Sequence, residues 1–232
     1  MRITVESAAL AAPIRVSVVT PDGFDRTVSV VYLLHGASTD ETQWEAIGMQ
    51  AALDDLIATG QPRPFTVVLP DLPSGGDPTA DAVAFFEDVI PAVERCLGGG
   101  PRTAAHRAVG GISRGGTLAL EVAAEHSDAF AAVGGHSPAV ADVDQTSLVQ
   151  GLASSNIRVW LDVGTSDALR PATQRLASAL SDAGKTAELL LPPGAHDRAY
   201  WSAHLYGVPG VVRAGGQFLS RIAVKSRESG PR

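Results

Sequence analysis

The stretch GGISRGG at 110–116 constrains this chain more than any other. Gly111, Ser113 and Gly115 make a G-x-S-x-G pattern. The short, partly β-branched run His106–Val109 before it predicts a buried strand. The run Thr117–Ala124 after it is rich in Ala, Leu and Glu and predicts a helix. A strand that turns sharply into a helix around a serine is the setting in which this pattern carries chemistry. Glycine is needed where a side chain would strike the neighbouring strand or helix. The turn lifts the serine hydroxyl clear of the sheet, and the first amides of the new helix face any negative charge developing there.

The rest of the chain alternates strand and helix around that turn. Arg2–Ser7 and Ile14–Thr20 predict two adjacent strands, and Pro21-Asp22-Gly23 a turn. Val28–Leu34 is a continuous apolar run, as expected of a central strand covered on both faces, and it ends in His35-Gly36-Ala37-Ser38. A helix is predicted over 42–59, with Met49, Leu53, Leu56 and Ile57 facing inward, stopped by Gly60 and Pro62. Phe65–Leu69 predicts a strand ending in Pro70-Asp71, with Asp71 capping the loop that follows. A helix over 79–97 contains Pro91, which should kink it. Strands are predicted at Ala131–Gly134, Ile157–Val163 and Thr186–Leu191. The segment carrying Asp142 and Asp144 reads as an acidic loop. Leu169, Ala172, Leu176 and Leu180 mark one face of a helix that ends at Gly184, and 200–222 reads as helical in pieces.

This order predicts a mostly parallel sheet wrapped by helices, with antiparallel strands at its N-terminal edge. A chain of 232 residues fits one α/β domain, here 1–224, with a polar tail over 225–232. Loops leaving the carboxyl ends of the strands gather on one side, where ligands bind in open α/β sheets.

Composition excludes some functions. The net charge is −7 with no basic run, which argues against nucleic acid and anionic membranes as partners. No stretch is long and apolar enough to span a bilayer or to read as a signal peptide, so a cytoplasmic protein is expected. Cys96 is the sole cysteine and forms no internal disulfide; it is expected to pack at a helix end.

A serine hydroxyl needs a base in hydrogen-bond reach to attack a carbonyl near neutral pH. Histidine suits that task, and a carboxylate on its other ring nitrogen fixes the tautomer. Ser113, Asp167 and His196 follow one another in the order nucleophile, acid, histidine, each just past a predicted strand. Among the 6 histidines, only His196 has the expected position, in the turn leaving the last strand; His204 and His136 remain rivals. Asp162 rivals Asp167, but lies within an apolar strand. Asp197 reads as a loop-tying residue, and His35 as a structural turn residue. The backbone amides of Arg114 and Ala37 are the expected oxyanion donors. Trp44, Tyr200 and Trp201 are candidate pocket walls. No metal or cofactor is expected.

Taken together, several motifs make the sequence resemble the putative-esterase family of α/β hydrolases over about residues 28–205. They are YLLHG with downstream Trp44, VVLPD at 67–71, FFEDVIPAVE at 85–94, GGISRGG, DAFAAVGGHSP, Gly164–Asp167 and GAHDRAYW around His196. That family includes S-formylglutathione hydrolases, feruloyl esterases, siderophore esterases and mycolyltransferases. The resemblance implies an α/β-hydrolase fold, here without a large lid, and a small-molecule ester as substrate. It places the nucleophile, acid and base on Ser113, Asp167 and His196. It leaves acyl transfer or thioester hydrolysis open on the same residues, and a non-catalytic binding protein as the reading from another class. Arg114 stands where many relatives carry an apolar residue, and its side chain is expected to pair with a nearby carboxylate.

Overall fold

The structure, a computed structural model, describes residues 1–20, 29–58, 65–73, 77–98 and 102–205. Its centre is an eight-stranded sheet. In chain order the strands are β1 (Arg2–Ser7), β2 (Ala12–Val19), β3 (Ser29–Leu34), β4 (Phe65–Pro70), β5 (Arg107–Ile112), β6 (Ala132–His136), β7 (Arg158–Asp162) and β8 (Ala187–Leu190). They lie side by side as β1-β2-β4-β3-β5-β6-β7-β8. β1 pairs antiparallel with β2, and β2 antiparallel with β4; every other neighbour is parallel. This is the α/β-hydrolase architecture expected from the sequence, antiparallel edge included.

Strand side chains alternate between two cores, because successive residues point to opposite faces. Val30, Tyr32 and Leu34 of β3 enter one core, Val31 and Leu33 the other. The first core is covered by helices α3 (Pro78–Val83), α4 (Ile90–Leu97), α5 (Arg114–Glu125), α6 (Gln145–Ala153) and α7 (Arg170–Asp182). The second is covered by α1 (Gln43–Ala46), α2 (Met49–Ala58) and α8 (Arg198–Leu205).

Three helical expectations change. The helix expected over 42–59 is broken: Gly48, at φ +100°, separates α1 from α2, and Met49 and Leu53 are buried as expected. The proline of the helix over 79–97 is taken up by a π-helical segment, Ala84–Val89, between α3 and α4. Pro91 has no N–H to give the preceding turn and crowds its carbonyl, and a wider turn relieves both. The acidic loop at 142–144 leads directly into α6, with the Asp144 carboxylate accepting from the Thr146 N–H at 3.0 Å. The capping aspartate and the buried Leu148 and Leu152 at helical spacing were the available signals. Cys96 sits in the last turn of α4, but exposed rather than packed. The turn expected at 21–23, the stop at 60–62, the helical pieces beyond Leu205 and the tail at 225–232 lie outside the described residues.

Candidate active site

Parallel pairing from β3 through β8 brings the carboxyl ends of these strands to one edge of the sheet. There β5 turns into α5 at Ser113, whose φ of +53° and ψ of −118° fall outside the regions open to most side chains. Such a backbone costs about 1–3 kcal/mol and persists only where its surroundings enforce it. Here they do. The Ser113 N–H donates to the His136 carbonyl at 3.0 Å, and its carbonyl accepts from Thr117 N–H at 3.0 Å and Ala139 N–H at 3.1 Å. Glycine is obligatory at 115, because a Cβ there would lie 2.4 Å from the carbonyl oxygens of both Leu34 and His35. That close approach seats α5 against the end of β3.

His196 arrives from the loop after β8. Its Nε2 is 3.0 Å from Ser113 Oγ, and its Nδ1 is 2.9 Å from Asp167 Oδ2. A carboxylate can only accept, so Nδ1 carries the proton and the Nε2 lone pair faces the serine hydroxyl. The other carboxylate oxygen of Asp167 accepts from Leu169 N–H at 2.8 Å. The Asp167 side chain is fully buried, whereas that of His196 is 32% exposed. The loops carrying the two are sewn together: Thr165 N–H donates to the Pro192 carbonyl and Ser166 N–H to the Gly194 carbonyl, at 2.9 and 2.8 Å. Three residues separated by 54 and 29 positions in the chain thus form one line of hydrogen bonds.

The turn after β3 closes the other side. Gly36 N–H donates to Gln43 Oε1 at 2.7 Å, and Thr39 Oγ1 donates to the Gly36 carbonyl at 2.7 Å. His35 is structural, as expected: its Nε2 accepts from Leu72 N–H at 3.1 Å, and its Nδ1 lies 2.9 Å from the Gly36 carbonyl. Asp71 pairs with Arg15 of β2 at 2.6 Å, and part of the loop it was expected to cap, residues 74–76, lies outside the described residues. Arg114, first residue of α5, sends its guanidinium to the buried carboxylate of Asp81, the structural pairing expected of it. Burial pushes the Asp81 carboxyl above its ordinary pKa, and the Arg114 charge opposes that shift.

A model of the family described as Putative esterase matches residues 7–208. The chain belongs to that family. It is an enzyme, a carboxylic ester hydrolase of the α/β-hydrolase superfamily. Among solved structures, the esterase resembles the feruloyl esterase module from Clostridium thermocellum complexed with sinapinate. The identity is 18% over 100% of this chain and 90% of that one, with a TM-score of 0.79. It resembles a ferulic acid esterase from Anaeromyces mucronatus in complex with ferulic acid at 20% identity, over 89% and 87% of the two chains, with a TM-score of 0.76. It also resembles S-formylglutathione hydrolase from Staphylococcus aureus at 17% identity, over 87% and 91%, with a TM-score of 0.69. At these identities the likeness is one of fold.

A pocket of about 380 Å³ opens between the segment 39–47 and α8, lined by Thr39, Asp40, Gln43, Ile47, Arg198 and Trp201 among others. Of the three aromatic residues expected to wall a pocket, Trp201 does so, and it also meets the His196 ring edge-on at 5.1 Å. The other two do not line it. Trp44 is fully buried in the second core of the esterase, and Tyr200 is buried with its hydroxyl on Asp162 at 2.7 Å. Gln43 was missed by sequence reasoning; a glutamine just beyond a turn carries no signal until the turn is folded. The rival base His136 and rival acid Asp162 are both present, bonded to each other at 2.6 Å. His204 bonds the carbonyl of Tyr200 instead of the serine. Asp197 ties its loop as expected, accepting from Tyr200 N–H at 2.8 Å. Among the described residues no helix is long and apolar enough to cross a membrane, and no group of three or more His, Cys, Asp and Glu could hold a metal ion.

Proposed function

We propose that this esterase hydrolyses a small-molecule carboxylic ester through an acyl-enzyme on Ser113, with His196 as general base and acid and Asp167 as the residue that orients it. The observation that carries the reading is the unbroken line from Asp167 Oδ2 through His196 to Ser113 Oγ, at 2.9 and 3.0 Å. Ser113 Oγ attacks the ester carbonyl carbon while His196 Nε2 takes its proton. The resulting imidazolium is stabilised by the buried Asp167 carboxylate. As the tetrahedral adduct collapses, the C–O bond to the alcohol breaks and His196 returns the proton to the departing oxygen. Water repeats the sequence on the acyl-serine: His196 takes one of its protons, the acid leaves, and Ser113 recovers its hydrogen.

The oxyanion is assigned to the backbone amides of Arg114 and Ala37. Arg114 is the first residue of α5, so its N–H has no carbonyl one turn earlier in the helix to bond. In the turn after β3, the Gly36 N–H is already given to Gln43, and the Ala37 N–H is the next amide of that turn. One such donor contributes about 3 kcal/mol to the transition state. The pocket beside Trp201 is the natural seat for one substituent of the ester, and its volume suits a group of ring size.

The test is a fluorophosphonate probe followed by a panel of aryl and alkyl esters of rising acyl length. The reading expects one covalent adduct, on Ser113, and turnover lost in Ser113→Ala. Labelling elsewhere, or undiminished turnover in Ser113→Ala, would sink it. Acyl transfer is separated from hydrolysis by adding an alcohol acceptor and weighing the products.

A further inference from the structure

The parallel register sets Ile112, His136, Asp162 and Leu190 in one row across β5 to β8. His136 and Asp162 are the last residues of adjacent strands, so both point from the same edge as Ser113. His136 Nδ1 lies 2.6 Å from Asp162 Oδ1, and the two side chains are 0% and 2% exposed. The second carboxylate oxygen accepts from the Tyr200 hydroxyl at 2.7 Å. His136 Nε2 faces the backbone oxygen of Trp201 at 3.4 Å. The carboxylate can only accept, so Nδ1 is the donor to it. Burial, reinforced by the Asp162 charge, pushes the Tyr200 hydroxyl well above its ordinary pKa and keeps it a donor. One hydrogen bond and one polar contact therefore run from the sheet edge to consecutive residues of α8.

None of these groups lies on the proton path from Ser113 to Asp167, yet they hold what surrounds it. The His196 loop rests on the tied pair: a Cβ at Gly194 would fall 2.3 Å from Tyr200 Cδ2, so the loop backbone lies directly on that ring. Trp201 presents its indole to the His196 ring at 5.1 Å and an interplanar angle of 87°. The His196 side chain is partly open to solvent. Its Asp167 and Ser113 bonds leave the ring free to tilt about the line that joins them. The edge-on indole blocks that tilt on one side.

We infer that His136, Asp162 and Tyr200 are positioning residues: they pin α8 to the sheet edge so that Trp201 keeps the His196 imidazole in line with Ser113. The inference rests on the proposed role of His196 as base. A misplaced base loses rate at the chemical step without equal loss of substrate binding, and a displacement of about 1 Å can cost about a hundredfold.

The experiment compares wild type, Ser113→Ala, Tyr200→Phe, Trp201→Leu and the Tyr200→Phe/Trp201→Leu pair on one aryl ester, with melting curves for each. Tyr200→Phe removes only the hydroxyl. The expected result is a fall in kcat of about tenfold with KM changed less than about threefold, and an equal fall in the rate of fluorophosphonate labelling at Ser113. Trp201→Leu should lower kcat at least as much. In the Trp201→Leu background, Tyr200→Phe should have no further effect on kcat, because the clasp acts through the indole. A purely structural role would lower melting temperature and leave kcat unchanged, or would give additive losses; either result overturns the inference. Were Tyr200→Phe to fail to fold, Trp201→Leu alone decides, since unaltered kcat there removes the means by which the clasp acts. Turnover surviving in Ser113→Ala overturns the proposed function and this inference with it, whereas wild-type kcat in Tyr200→Phe beside an inactive Ser113→Ala overturns this inference alone.

Discussion

Two histidine–aspartate pairs of the esterase stand at or just beyond the carboxyl ends of β6 to β8, and they are built for different work. In His196–Asp167 the imidazole is partly open and its second nitrogen meets a serine hydroxyl. In His136–Asp162 the imidazole is sealed, and its second nitrogen faces a backbone carbonyl. The chemistry of the two pairs is the same; their surroundings differ. A histidine shuttles protons only where its free nitrogen meets a group that can lose one and where substrate can reach. Buried against a carbonyl, the same pair becomes a strut.

Substitution should separate the pairs most sharply by rate. His196→Ala is expected to lower kcat by about 10⁴-fold or more, with melting little changed, because its ring is partly exposed and its loss opens no core. Initial rates beside a thermal melt check this, and a loss of less than about tenfold would break the contrast. Asp162→Ala should lose stability far more than rate, its kcat falling only about tenfold, as for Tyr200→Phe. Removing one member of a buried pair leaves an uncompensated group and costs about 3–5 kcal/mol. In a chain of this size that lowers Tm by about 10 °C. Asp167→Ala, measured alongside, should lose rate far more than stability.

Arg114 sharpens the comparison, since it adjoins the nucleophile and yet its side chain is structural. Arg114→Ala keeps the amide assigned to the oxyanion, so kcat should stay within about threefold. It strands the buried Asp81 carboxylate, at about 2 kcal/mol. Burial already raises the Asp81 pKa, and losing the guanidinium raises it further. The fold then holds a proton that the unfolded chain releases above its ordinary pKa of 3.8. Stability relative to wild type should therefore fall as pH rises from about 4 towards neutrality, and melts at pH 5 and 8 read the difference.

The smallest effect is alkaline. Tyr200 ionises in the unfolded chain near pH 10.0, but burial and Asp162 hold it protonated in the fold. Tyr32 is shifted in the same direction by its burial. The folded state binds more protons there, so stability declines as pH rises past about 10. Tyr200→Phe should make that decline shallower; an unchanged slope would show that the Tyr200 hydroxyl is not shielded in the fold.

Much of this molecule was legible in one dimension. Each of the eight strands lies within about three residues of its expected place, because continuous apolar runs bounded by Gly and Pro leave few other readings. The order Ser113, Asp167, His196 was legible because each follows a strand, and strand ends converge. The break at Gly48 and the π-helical turn at Ala84–Val89 were not, since both adjust helices to the sheet they cover. Trp44 and Trp201 are both tryptophans near a helix start, and nothing local separates the one in the core from the one beside His196.

Sequence by itself determined the alternation of elements, the sharp turn at Ser113 and which residue types could take up acid, base and nucleophile. Only the tertiary structure decided which histidine meets which aspartate. Asp162 and Asp167 stand five residues apart on one strand and its loop, with His136 and His196 both downstream of Ser113. Strand register binds the first aspartate to the neighbouring strand's histidine, and the crossing of two loops binds the second to a histidine 29 residues on. Register and loop crossing are set by packing across the whole sheet, which no short window of sequence contains.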